Sequence, residues 1–169
     1  MSGLAYVFPG QGSQSVGMLF AKSSEGAATF EEASEALGYD MGELISSGPE
    51  EVLNQTEYTQ PALFALEYSL AKLLTEWDVV PDLLLGHSIG EYAAACVANV
   101  FTLEDAVRMV AARGRLMQSL PMGGKMVSVV TDEVSAKAAI AKFPSISIAA
   151  VNAPQSIVLS GEGQAIDLI

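Results

Sequence analysis

The sequence predicts an α/β fold in two parts, an incomplete parallel-sheet subdomain over residues 1–124 and the start of a ferredoxin-like subdomain over residues 125–169. Three observations carry this. Apolar runs at residues 4–8 and 83–85 each lead into a glycine-bearing turn, as strands of a buried parallel sheet do. Apolar residues at helical spacing lie between and after them, so helix and strand alternate. Beyond Gly124 the order becomes β-α-β-β-α, the opening of a unit that needs one more strand to close.

The elements follow in order. Leu4-Ala5-Tyr6-Val7-Phe8 ends at Pro9-Gly10 and predicts a strand running into the loop Gln11-Gly12-Ser13-Gln14. Residues from about 27 to 37 predict a helix closed by Gly38. Pro49, before Glu50-Glu51, predicts the first position of a short helix. Pro61 predicts the opening of a longer one, whose Leu63, Leu66, Leu70, Leu73, Leu74 and Trp77 share an apolar face. Residues 82–86 predict a fully buried strand, and Thr102 predicts a helix N-cap followed by Glu104 and Asp105. In the second part, strands are expected near 125–130, 146–151 and 157–160, with a helix near 133–142 and another begun before Ile169. The chain is expected to stop inside that unit, a poor place for a domain boundary.

Composition narrows the function. Half of the 169 residues are hydrophobic and 17% are charged, enough for a packed core and against disorder. The net charge is −12 and the eight basic residues are scattered, so no nucleic-acid partner is expected. No apolar stretch is long enough to span a bilayer, and no basic run precedes the first one, so neither a membrane role nor a secretory signal is expected. Cys96 is the single cysteine and fits a reducing, cytoplasmic setting. Metal ligands at a workable spacing are absent, and Gly10-Gln11-Gly12 lacks the pattern of a phosphate loop. No metal and no cofactor are therefore expected.

The chemistry centres on Gly86-His87-Ser88-Ile89-Gly90. This G-x-S-x-G lies between a predicted strand and a predicted helix, the context in which a strained turn lifts a serine hydroxyl into the open. The helix N-terminus behind it stabilises developing negative charge. Ser88 is the candidate nucleophile. His87 is the only histidine, but its place next to Ser88 on a tight turn directs its ring away, so the base is expected to be missing from this chain.

A second candidate comes from projecting the helix after Thr102 at 100° per residue. Met109, Leu116, Ala106, Met117, Val110, Gly114, Leu103 and Val107 form one apolar arc, and Arg113 falls inside it. A buried guanidinium without a partner is costly, so Arg113 should meet an anion. Either a carboxylate of the protein in a buried ion pair or a substrate carboxylate would serve, and periodicity does not separate the two.

Taken together, Phe8-Pro9-Gly10-Gln11-Gly12-Ser13-Gln14, Thr59-Gln60-Pro61-Ala62-Leu63 and Gly86-His87-Ser88-Ile89-Gly90-Glu91-Tyr92 resemble malonyl-CoA:acyl carrier protein transacylase. Arg108-Met109-Val110-Ala111-Ala112-Arg113-Gly114, Val151-Asn152-Ala153-Pro154 and Leu159-Ser160-Gly161 are similar too. The acyltransferase domains of modular polyketide synthases share these motifs. The resemblance implies an α/β-hydrolase-like large subdomain and a Ser88 acyl-enzyme that takes malonyl from malonyl-CoA and passes it to an acyl carrier protein. It implies an oxyanion hole from the backbone N–H groups of Gln11 and Ile89, and Arg113 as the holder of the malonyl carboxylate. It places the catalytic histidine beyond Ile169, so this N-terminal half is expected to be a truncated form with little turnover alone. Ile89 leans toward malonyl over branched units, and the start at Met1 toward a free-standing enzyme; fatty acid and polyketide pathways both stay open. Carrier proteins are typically acidic, and no basic patch to receive one assembles from this half. Two other readings share parts of the pattern: a serine hydrolase of the α/β type, which has no need of Arg113, and a non-catalytic half-domain that binds a carrier protein or a complementary fragment.

Overall fold

The structure is a computed structural model and describes residues 3–18 and 24–169. The chain forms two compact units, Met1–Ser119 and Leu120–Ile169. The first contains β1 (Ala5–Phe8), α1 (Ser24–Leu37), α2 (Met41–Ser47), α3 (Glu50–Leu53), α4 (Thr56–Glu76), β2 (Leu83–Gly86), α5 (Gly90–Val97) and α6 (Leu103–Gln118). The second contains β3 (Gly124–Val129), α7 (Glu133–Ile140), β4 (Ile146–Ala153), β5 (Ser156–Glu162) and α8 (Gly163–Ile166). The class is α/β, as expected.

In the first unit β1 and β2 pair in parallel, Ala5 opposite Leu83 through to Phe8 opposite Gly86. Parallel neighbours need a crossover, and α1 to α4 supply it. Tyr6 and Phe8 face a core that also holds Phe30, Leu63, Phe64, Ile89, Val107 and Val110. The opposite face of the sheet differs from the expectation of a fully buried strand. Val7 is 68% exposed, Leu83 62% and Leu85 56%, because nothing among the described residues covers that side.

The helix starts also differ. α1 is already helical at Ser24, the first described residue of its segment, ahead of the expected residue 27. Pro49 is the extended N-cap of α3 rather than its first helical residue. The long helix α4 begins at Thr56, so Pro61 lies inside it. So early in a helix the ring removes a single backbone hydrogen bond, to the Glu57 carbonyl, and the cost is bounded. The Thr59 hydroxyl ties that first turn down, donating to the Leu53 carbonyl at 2.6 Å and the Gln55 carbonyl at 3.0 Å. α6 crosses there through Gly114, where a Cβ would lie 3.0 Å from the Glu57 α-carbon and 3.1 Å from the Thr56 oxygen. Burial along α4 is deepest over residues 59–65 and fades to Trp77, which is exposed at the cap.

α6 starts where expected, with the Thr102 hydroxyl accepting from the Asp105 N–H at 3.1 Å. Its buried stripe is narrower than the projected arc. Ala106, Val107, Val110, Ala111 and Gly114 are buried, whereas Met109, Leu116 and Met117 are exposed. A helix projection gives direction but not the width of whatever packs against it.

In the second unit the strands run in the order β3-β5-β4, all antiparallel, as the β-α-β-β-α reading requires. Ala136, Ile146, Ile157, Leu159 and Ile166 form its core. Among the described residues, no helix is long and apolar enough to cross a membrane.

Candidate active site

The turn from β2 into α5 is built by close backbone approach. A side chain at Gly86 would collide with the backbone of Gly90 and Glu91, and one at Gly90 with the carbonyls of Phe8 and Pro9. Both glycines are therefore required by space, and the N-terminus of α5 is seated on the end of β1. Ile89, 1% exposed, anchors the turn in the core. It occupies the N-cap of α5, where a helix leaves backbone N–H groups without carbonyls of its own.

Ser88, at the apex, is exposed and has φ of 54°, a left-handed conformation rare for a side-chain-bearing residue. That strain has a consequence that can be read by denaturation. Ser88→Gly is expected to raise the stability of the chain by about 1 kcal/mol, seen as a higher urea midpoint at unchanged slope. A lower midpoint would show that the turn is not strained at this residue.

The residues around Ser88 form one chain of hydrogen bonds. Arg113, on α6, donates from Nη2 to Ser88 Oγ at 3.3 Å and from Nη1 to Gln60 Oε1 at 2.6 Å. Its guanidinium carbon lies 5.6 Å from the centre of the Tyr92 ring, which supports one face of the cation. Gln60, on α4 and 1% exposed, donates from Nε2 to Gln11 Oε1 at 3.5 Å and to Met117 Sδ at 3.3 Å. Gln11 in turn donates to Thr56 Oγ1 at 3.2 Å. The loop that carries Gln11 is fixed by its own side chains: Ser13 Oγ donates to the Gly10 carbonyl, Gln14 Oε1 accepts from the Gly12 N–H, and Gln14 Nε2 donates to Asn54 Oδ1.

Ser88, Arg113 and Gln11 are thus brought together. His87 donates its backbone N–H to the Phe8 carbonyl at 2.9 Å, and its ring lies over Gly10, where a Cβ would sit 2.7 Å from Nδ1. The buried ion pair that the sequence left open for Arg113 is not found. Among the described residues, the ion pairs are Arg108–Glu104, Lys125–Asp167 and Lys137–Glu133. Arg113 is also only partly buried, not sealed in the helix interface as the projection implied. Among the described residues its hydrogen-bond partners are a neutral amide and a hydroxyl, so no carboxylate there compensates its charge.

Gln60 and Tyr92 were not singled out from the sequence. The signal for Gln60 was present: it lies three positions before Leu63 and four before Phe64, a polar residue on an apolar stripe. Among the described residues no cluster of side chains could hold a metal ion.

Residues 5–169 match the family described as acyl transferase domain. The chain is 47% identical over 171 residues to polyketide synthase GfsA of Streptomyces halstedii, covering 93% of this chain and 2% of that protein. Its backbone superposes with a TM-score of 0.93, at 48% identity, on the acyltransferase domain from the second module of the salinomycin polyketide synthase, covering 99% of this chain and 41% of that one. A malonyl-transacylase solved in complex with its type II polyketide synthase acyl-carrier protein gives 0.90 at 40% identity, covering 98% of this chain and 57% of that one. The chain therefore spans about half the length or less of the relatives it matches.

Proposed function

This chain belongs to the acyl transferase domain family, and we propose that within it Ser88 carries a malonyl group from malonyl-CoA to the phosphopantetheine thiol of an acyl carrier protein. Ser88 Oγ attacks the thioester carbonyl, the C–S bond breaks, and coenzyme A leaves as its thiol with the proton taken from the serine. The carrier thiol then attacks the Ser88 ester and restores the hydroxyl. Backbone N–H groups of Gln11 and Ile89 receive the oxyanion at each step. Arg113 holds the free carboxylate, and Gln60 and Tyr92 fix its guanidinium in place.

The observation that carries this reading is the 3.3 Å approach of the Arg113 guanidinium to the Ser88 hydroxyl. A cation there with neutral hydrogen-bond partners suits an acyl group that bears its own negative charge and gives nothing to a plain acetyl group. The scheme needs no metal or cofactor. That a malonyl-transacylase relative was solved with a carrier protein supports the same kind of partner here. The polyketide synthase relatives favour polyketide synthesis over fatty acid synthesis as the setting.

The base is proposed to come from outside this chain, since among the described residues the side-chain partner of Ser88 is a cation and not a proton acceptor. Turnover by the chain alone is accordingly expected to be lower than that of a complete relative by roughly 10⁴ to 10⁶. The test is intact-protein mass spectrometry of the chain with malonyl-CoA and with acetyl-CoA. A malonyl adduct should form in preference to an acetyl one, and Arg113→Ala should reduce its rate about 10- to 100-fold while leaving the acetyl rate unreduced. Ester cleavage indifferent to Arg113→Ala would replace this reading with a serine hydrolase.

A further inference from the structure

One branch of the hydrogen bonds behind Arg113 ends at a sulfur. Gln60 Nε2 donates to Met117 Sδ at 3.3 Å, a closer approach than its 3.5 Å reach to Gln11 Oε1. Gln60 is 1% exposed, whereas Met117 is 42% exposed. The Met117 side chain therefore touches a sealed amide and also stands open to small solutes. It follows Arg113 by four positions on α6, so the two side chains leave the same face of the helix. Met109, Met122 and Met126 are exposed too. Among the described residues, however, Met117 is the methionine whose sulfur takes part in the hydrogen bonds around Arg113.

We propose that Met117 is a modification site for hydrogen peroxide, and that its sulfoxide disturbs the hold of Gln60 on Arg113. In the step the O–O bond of the peroxide breaks, one oxygen bonds to Sδ, and the other leaves as water with both protons. The sulfur gives up two electrons and the peroxide takes them. A soft, weak acceptor becomes a polar one on a chiral sulfur.

Two consequences reach the guanidinium. Sδ and Gln60 Nε2 are already at hydrogen-bonding distance, so an oxygen placed between them fits only if one side chain moves. Gln60 holds Arg113 through Oε1 at 2.6 Å, and any shift of the amide is passed to that contact. The new oxygen also stands one helical turn from Arg113, where it offers the cation an acceptor in competition with a substrate carboxylate. Ser88 itself is untouched, so the loss should fall on acyl groups that carry a charge.

The effect on acyl choice rests on the reading of Arg113 as the carboxylate holder, whereas the site itself does not, and the test separates the two. The full chain and its Met117→Leu variant are treated with dilute hydrogen peroxide, and oxygen gain is located by peptide mass spectrometry. The side-chain amide signal of Gln60 is followed by heteronuclear NMR, assigned with Gln60→Glu. The expected result is one oxygen gained at Met117 and a shifted Gln60 signal in the parent chain, with no such shift in Met117→Leu. Methionine sulfoxide reductase should reverse both changes in the parent. The ratio of malonyl to acetyl adduct, each chain measured against its own untreated sample, should fall about 3- to 10-fold in the parent and stay level in Met117→Leu. The proposal is overturned if Met117 stays unoxidised while Met122 gains oxygen, or if Met117 is oxidised and the Gln60 signal does not move. It is overturned equally if the ratio in the parent falls no further than in Met117→Leu. A parent chain with no malonyl preference before treatment would overturn the carboxylate reading and the effect on acyl choice with it, while the amide signal still decides the site.

Discussion

Ser88→Ala is expected to abolish the malonyl adduct, lowering its rate of formation by at least about three orders of magnitude. The loss is large because the atom proposed to form the new bond is itself removed, and no neighbour among the described residues is placed to substitute. Cys96 is the intrinsically stronger nucleophile by type, but it is 3% exposed and burial raises its thiol pKa to about 11. At neutral pH it is protonated and out of reach of a thioester. The substitution should leave folding nearly untouched, within about 0.5 kcal/mol, since Ser88 is exposed and its side-chain bond among the described residues is the long one to Arg113. Mass spectrometry under malonyl-CoA, with circular dichroism as the folding check, decides it. An adduct that persists at the parent rate in folded Ser88→Ala would move the chemistry to another residue.

The second large effect is on stability and pH. Glu67 has a folded pKa near 8 against 4.5 when unperturbed, because burial disfavours its charged form. Between those two values the native chain holds a proton that the unfolded chain has released. Stability must therefore fall as pH rises from about 4.5 to about 8, by roughly 1.4 kcal/mol per pH unit from this group, and level off above. Over the window this amounts to several kcal/mol, a large part of the stability of a small domain. Glu67→Gln keeps the shape and cannot ionise, so its urea midpoint should lack this slope. The difference between the two profiles isolates Glu67 from the chain's other acidic groups. Parallel profiles for parent and variant would show that Glu67 is solvated or already paired in solution.

Much of the candidate site's geometry was legible because its constraints are local. Gly86 and Gly90 had to be glycines once strand and helix met at so tight a turn, and that requirement is written as a five-residue pattern. Thr102 announced its helix for the same reason, since an N-cap bond spans three residues. Arg113 was found by periodicity, because a charge inside an apolar stripe is an anomaly on any helix. Gln60 was missed because α4 was read as beginning at Pro61, which left the residue before it outside any helix and its apolar neighbours unprojected. The exposed face of β1 and β2 was out of reach of the sequence altogether. Leu83-Leu84-Leu85 asks for cover on both sides, and whether cover arrives depends on chain that pattern reading does not see.

The contact between Arg113 and Gln60 also limits how acyl preference could be redesigned. Gln60 is sealed from solvent, and among the described residues the guanidinium alone satisfies its carbonyl oxygen. Exchanging Arg113 by itself strands that oxygen at a stability cost of about 1–3 kcal/mol, so if Arg113 holds the acyl carboxylate as proposed, an engineered pocket for an uncharged acyl group would begin with a less stable but still active protein. Residues in direct contact are energetically coupled, so the effects of changing 60 and 113 together should not equal the sum of the single changes. Pairs of substitutions at 60 and 113, rather than saturation of 113 alone, are the libraries in which new selectivities should be sought.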